Sequence, residues 1–228
     1  MATAGEKKKF EHPLYRRYYL PEDVEIHSTV EDCWVTINGR VLDISRLLIL
    51  KKGDPQARPL TQHAGEDISH WFDKNTGNPK QYLDIERGIR CYYLPEGRFL
   101  HVPPDLPGQF DYDFAQPWWS DKQYEIGKIT KKPRLVRIIN TLTHHEETLT
   151  VPSEESLNEI QTRYLEINKH SKSYTWKNCE GKILDMTKTL GENGIVDEDA
   201  EYDYLDVPDS QRHVPSILIY FNDDLTEA

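Results

Sequence analysis

At 228 residues and a formal net charge of −11, the chain has room for two small domains, and its 37% apolar content with 13 Tyr and 5 Trp excludes a disordered protein. The charge is uneven: residues 1–133 carry 19 Lys and Arg against 20 Asp and Glu, whereas residues 134–228 carry 9 against 19. That balance argues against nucleic acid, whose binding needs basic patches to displace phosphate counterions, and in favour of a basic protein surface as partner.

Residues 1–14 read as a tail. Lys7, Lys8 and Lys9 are followed by no apolar stretch, so no secretory signal is expected, and no run approaches the ~18 apolar residues of a membrane span. Cys33, Cys91 and Cys179 form no C-x-x-C pair; reduced thiols in the cytoplasm are expected, and no zinc site. Pro21-Glu-Asp-Val24 predicts a helix start, Cys33 to Ile37 a strand, Asn38-Gly39 a hairpin turn, and Ser45 the cap of a second helix. From Val102 to Pro133 five prolines and several aromatic residues follow no helical or alternating period. Residues 104–133 are therefore expected to be a connector, with Phe110, Phe114 and Trp118-Trp119 packing across a domain surface.

Beyond Pro133 the pattern is regular. Leu135–Leu142 and Glu147–Val151 predict a hairpin around Thr143–Glu146, with His144-His145 exposed in its turn. Ser153 is positioned to cap a helix in which Leu157, Ile160, Tyr164, Leu165 and Ile167 recur at helical spacing. Tyr174–Lys177 reads as a strand, Gly181 as a turn, Ile183–Asp185 as a short edge, and Ile217–Phe221 as a buried final strand. The acidic insert 197–209 holds seven Asp and Glu and no Lys or Arg. Its alternating Asp197, Asp199, Glu201 and Asp203 lack the glycine and closing glutamate of a calcium loop. A solvated loop or a contact for a basic partner is expected instead.

The order strand, strand, helix, strand, short strand, final strand over residues 134–228 resembles the β-grasp fold of ubiquitin. Leu135 to Thr143, Thr148 to Val151, Gly181 to Leu190 and Asn193-Gly-Ile195 carry the likeness. With Asn222 to Ala228 in place of a terminal diglycine, the resemblance implies a binding module and not a transferable tag. Tyr19-Leu-Pro-Glu-Asp-Val24, His27, Glu31-Asp-Cys-Trp-Val35 and Asn38-Gly-Arg-Val-Leu-Asp-Ile-Ser45, then Ala64-Gly-Glu-Asp-Ile-Ser69 with Phe72, resemble cytochrome b5 over residues 15–103, and the resemblance implies that Ala64 to Ser69 opens a further helix. The expected class is α+β: a cytochrome b5-like domain followed by a β-grasp domain.

Cytochrome b5 holds heme iron between two histidines, which leaves no open coordination position and favours electron transfer. The resemblance places those ligands near Lys51 and Gly77, neither a histidine. The candidate ligands of heme iron are then His70, in Ser69-His-Trp-Phe72, His101, between Leu100 and Val102, and His63, beside the Ala-Gly turn. Cys91, Tyr82, Tyr92 and Tyr93 are further donors. The whole arrangement resembles the cytochrome b5 domain-containing proteins of motile cilia. That implies a non-enzymatic cytoskeletal component of the cilium axoneme, associated with radial spoke proteins, binding heme in a redox-dependent way and affecting coordinated beating. The alternative is a heme-free adaptor that uses both domains for protein contacts; an electron donor to a reductase fits less well. No nucleophile, paired carboxylate or phosphate loop points to catalysis.

Overall fold

In the computed structural model, which describes residues 16–104 and 114–222, a short strand β1 (Tyr18–Tyr19) runs directly into helix α1 (Pro21–Glu25). Proline in the first turn presets the helical φ, and the Asp23 carboxylate accepts the Leu20 N–H at 2.9 Å. Strands β2 (Trp34–Ile37) and β3 (Arg40–Asp43) are joined by Asn38 and Gly39 at φ 48° and 79°, the two positive values that a tight hairpin turn requires. Helix α2 (Ser45–Leu50) begins at Ser45 itself, so the expected cap is corrected. The Asp43 carboxylate accepts the Ser45 N–H at 3.0 Å, while Ser45 Oγ accepts the Cys33 N–H at 2.8 Å and ties helix to strand.

Helix α3 (Arg58–Gln62) follows. The expected helix after Ala64 is a single 3-10 turn, Ser69–Trp71. Asp67 accepts the Ser69 N–H at 2.8 Å to start it, but Phe72 is already extended, and Asp73 accepts the Asn75 and Thr76 N–H groups at 3.0 and 2.8 Å to begin another turn. Strands β4 (Gln81–Asp84) and β5 (Ile89–Tyr92) form a separate hairpin. Strand β6 (Glu125–Ile129) completes a four-stranded sheet of order β1-β6-β3-β2, with β1 parallel to β6. The chain divides into compact units between Ile129 and Thr130. Much of the segment expected to connect domains thus belongs to the first unit: β6 joins its sheet, and Trp118 and Trp119 lie in its core. Phe110 and the tail at 1–14 fall outside the described residues.

At the seam of β1 and β6, a Cβ on Gly127 would lie 2.1 Å from the Arg16 carbonyl oxygen and 2.8 Å from the Tyr19 ring. Gly127→Ala is therefore expected to destabilise the first unit by about 1–3 kcal/mol. The Lys128 amide, which donates to Arg17 O at 3.2 Å, should lose protection from hydrogen exchange. Wild-type exchange there, with an unchanged denaturation midpoint, would contradict this reading.

The second unit is built from β7 (Pro133–Asn140), β8 (Glu146–Pro152), helix α4 (Leu157–Tyr164), β9 (Tyr174–Asn178), helix α5 (Asp199–Tyr204) and β10 (Ser216–Phe221). The sheet order is β8-β7-β10-β9, with β10 parallel to β7 at the centre. Val136, Ile138, Val151, Ile217 and Ile219 from the sheet pack with Leu157, Ile160 and Tyr164 of α4, which is the arrangement expected of a β-grasp. The helix is capped by Ser156 and not by Ser153. The Glu159 carboxylate accepts both the Ser156 N–H at 2.7 Å and its Oγ–H at 2.8 Å, so Ile167 falls beyond the last turn and is exposed. The short edge at Ile183 is a single bridge to Lys177. The acidic insert, expected as a loop, contains α5.

Candidate functional site

The interior of the first unit is occupied by aromatic side chains drawn from distant parts of the sequence. Trp71 stacks on Phe99 at 5.4 Å between ring centroids, Phe72 meets Trp118 edge-on at 6.2 Å, and Trp118 meets Trp119 at 5.7 Å. Leu47, Leu48, Leu60 and Ile68 complete the same core, which brings α2, α3 and the 3-10 turn onto these rings. Two of the indoles are anchored: Trp118 Nε1 donates to Leu100 O at 3.1 Å and Trp119 Nε1 to Asn78 Oδ1 at 3.2 Å.

Of the three candidate histidines, His63 and His70 both border Trp71, whereas His101 lies beside Phe114 and Trp118. His70 is exposed on the 3-10 turn, its ring 5.7 Å from Trp71. His63, half-buried at the end of α3, meets the same indole edge-on at 5.1 Å. His101 lies on the Phe99–Trp118 side of the sequence of contacts: it has φ 68°, stacks on Phe114 at 3.8 Å, and accepts the Trp118 N–H on Nδ1 at 3.1 Å. His101 alone of the three lines a cavity of about 340 Å³ shared with Asn78, Tyr92, Phe114 and Trp119.

Hydrogen bonding separates these rings further. An imidazole that binds metal ordinarily donates its other N–H to a carboxylate or carbonyl, which orients the ring and raises its basicity. His63 has that arrangement, with Nδ1 2.6 Å from a Glu66 carboxylate oxygen. Sequence reading missed Glu66, although its place three residues after His63 at a helix end was the available signal. His101 has the opposite one: its Nδ1 lone pair is engaged by a backbone amide, so the neutral ring carries its proton on Nε2.

A heme clamped between two of these histidines does not fit this arrangement. Indole and phenyl rings pack with residues of α2 and α3 in one buried core, and the two positions where the resemblance expects the ligands are a half-buried Lys51 and Gly77, the latter in a turn at φ 69°. Among the described residues no group of three His, Cys, Asp or Glu stands close enough to hold a metal ion. The other donors are dispersed: Cys91 is buried on β5 opposite the exposed Tyr82, Tyr92 is half-buried, and Tyr93 is exposed.

The thiols differ in burial. Burial, followed by the charges of Asp43 and Asp32, pushes the Cys33 thiol up to about 12, so it is not a thiolate at neutral pH. Cys91 is buried as well, whereas Cys179 is exposed. Native protein is expected to react quickly with a thiol reagent at Cys179 only, and at all three cysteines once unfolded. A second fast-reacting thiol in the native state would contradict this burial pattern.

The family model described as cytochrome b5-like heme/steroid binding domain matches residues 21–130, ending within one residue of the first unit's boundary at Ile129. The chain is 50% identical over 216 residues to cytochrome b5 domain-containing protein 1 of Xenopus tropicalis, covering 94% of this chain and 99% of that protein. It is 50% identical over 213 residues to the Homo sapiens protein of the same name, covering 93% and 92%. Among solved structures, a Caldiarchaeum subterraneum ubiquitin aligns with 13% identity and a TM-score of 0.30, over 40% of this chain and 95% of that one. The β-grasp assignment accordingly rests on strand order and not on that likeness. No helix among the described residues is long and apolar enough to cross a membrane.

Proposed function

The chain belongs to the cytochrome b5 domain-containing protein 1 family, and from that premise we propose that it is a non-enzymatic component of the ciliary axoneme, associated with radial spoke proteins and helping to coordinate ciliary beating. The observation that carries the adaptor part of this reading is the filled interior of the first unit. A cytochrome b5-type domain whose slot is closed by its own Trp71, Trp118 and Trp119 acts through its surface, as does a β-grasp domain used as a binding module. The ciliary part is supported by the resemblance of the whole two-domain arrangement. Detergent-extracted axonemes provide the test: the protein should stay with the axonemal pellet and leave it together with radial spoke proteins at high salt. Recovery entirely in the detergent-soluble fraction would overturn the axonemal reading.

A second reading is favoured by the family match and by the carboxylate-oriented His63. Here the first domain takes up heme weakly and in a redox-dependent way, once the Trp118-Trp119 segment has left the slot. Hemin titration followed by absorption, oxidised and reduced, tests it. His63→Ala should abolish the Soret band under this reading, and His70→Ala and His101→Ala show whether either of those rings contributes. Absence of a Soret band in the wild type under both conditions leaves the heme-free adaptor.

A further inference from the structure

Helix α5 buries none of its six residues. So short a helix is not stable in water by its own propensity, and here it is braced from both sides. Before it, Lys132 Nζ lies 2.6 Å from Asp197 and 3.0 Å from Asp199. After it, Arg212 reaches Asp203 at 2.7 Å and Asp209 at 3.1 Å. The chain leaves the helix through Asp206 at φ 52°, with the Val207 N–H donating to Tyr202 O at 3.0 Å, a left-handed helix end that usually requires glycine. The Glu198 carboxylate accepts the Tyr202 hydroxyl at 2.7 Å.

This bracing engages five of the seven carboxylates between residues 197 and 209. What it holds outward is an apolar pair, Tyr204 at 88% exposure and Leu205 at 66%, flanked by the exposed side chains of Glu201 and Asp206. Tyrosine carries large contact area at low entropic cost and is enriched among the residues that dominate interfaces. An ordered helix end that exposes such a pair among carboxylates is suited to a contact that is apolar at its centre and charged at its rim.

We propose that α5 and the turn after it are a docking site for a protein partner whose contact face is an apolar pocket rimmed by lysine or arginine. The proposal rests on the acidic insert being a partner face and names its anchors, Tyr204 and Leu205. It also moves the interacting charge away from Asp197 and Asp199, which are held by Lys132. Charge complementarity selects the basic rim. A second copy of this chain would bring the same carboxylates against each other.

The test uses the full chain and two labelled peptide probes of equal positive charge. One is a lysine- and leucine-bearing amphipathic helix; the other carries the lysines without an apolar face. The first should bind at least about tenfold more tightly, and Tyr204→Ser with Leu205→Ser should weaken it at least about tenfold at both low and physiological salt. Glu201→Gln with Asp206→Asn should weaken it at low salt only, mainly through slower association. Both double variants should melt as the wild type does, because the altered side chains are exposed. Equal binding of the two probes, or wild-type binding by the Tyr204/Leu205 variant, would overturn the proposal. So would a dimer in sedimentation that this variant abolishes, since the occupant would then be a second copy. The probes contain no axonemal component, so failure of the axonemal reading leaves this result standing.

Discussion

Glu155→Gln is expected to destabilise the second unit by about 3–5 kcal/mol, among the largest effects of any single substitution in the chain. The Glu155 and Arg163 side chains are 5% and 13% exposed, and the guanidinium grips the carboxylate through Nε at 2.9 and 3.1 Å and through Nη2 at 2.9 Å. The pair joins the lead-in to α4 with the helix's last turn. Removing one charge leaves the other in a site that excludes most water, and that desolvation sets the cost. Replacing both residues with methionine should recover most of the loss, because the carboxylate and guanidinium then disappear together. Denaturant midpoints of the two variants decide the matter: a Gln variant within about 1 kcal/mol of wild type would show that the site relaxes to admit water.

Trp118→Ala is expected to cost the first unit about 3–5 kcal/mol. The side chain is fully buried, packs against Phe72 and Phe99, and donates from Nε1 to Leu100 O. Truncation leaves a cavity among rigid rings that collapse poorly, and strands the Leu100 carbonyl. Were residues 104–133 a connector only, the same change would shift the unfolding midpoint by less than about 1 kcal/mol. The variant also bears on the two functional readings. Opening the slot should raise hemin uptake if heme competes with the tryptophans for that space, and should leave it absent if the domain works only as a sealed adaptor.

Local chemistry made much of the architecture legible from the sequence. Asn38-Gly39 turns a hairpin because those two residues tolerate positive φ, and Leu157, Ile160 and Tyr164 form one buried helical face because their spacing matches the helical period. The expected cap of α4 is Ser153, although the signal for Ser156 was present: Ser156 has Glu159 three positions on, whereas Ser153 has only Ser156. Tertiary structure alone decided the rest. The period of β6 is too short to stand out between prolines, and its place in the sheet depends on pairing with β1 and β3 from the start of the chain. Trp118 and Trp119 read as linker residues because their partners Trp71, Phe72 and Phe99 are remote in sequence; burial is a property of that assembly. The histidines separate for the same reason. Residue type makes His63, His70 and His101 equivalent, but a carboxylate orients the first, the second is exposed beside Trp71, and a backbone amide engages the third. In the acidic insert, composition determines the sign of the charge, whereas folding determines that Lys132 and Arg212 pair with four of its seven carboxylates and that Tyr204 and Leu205 face water.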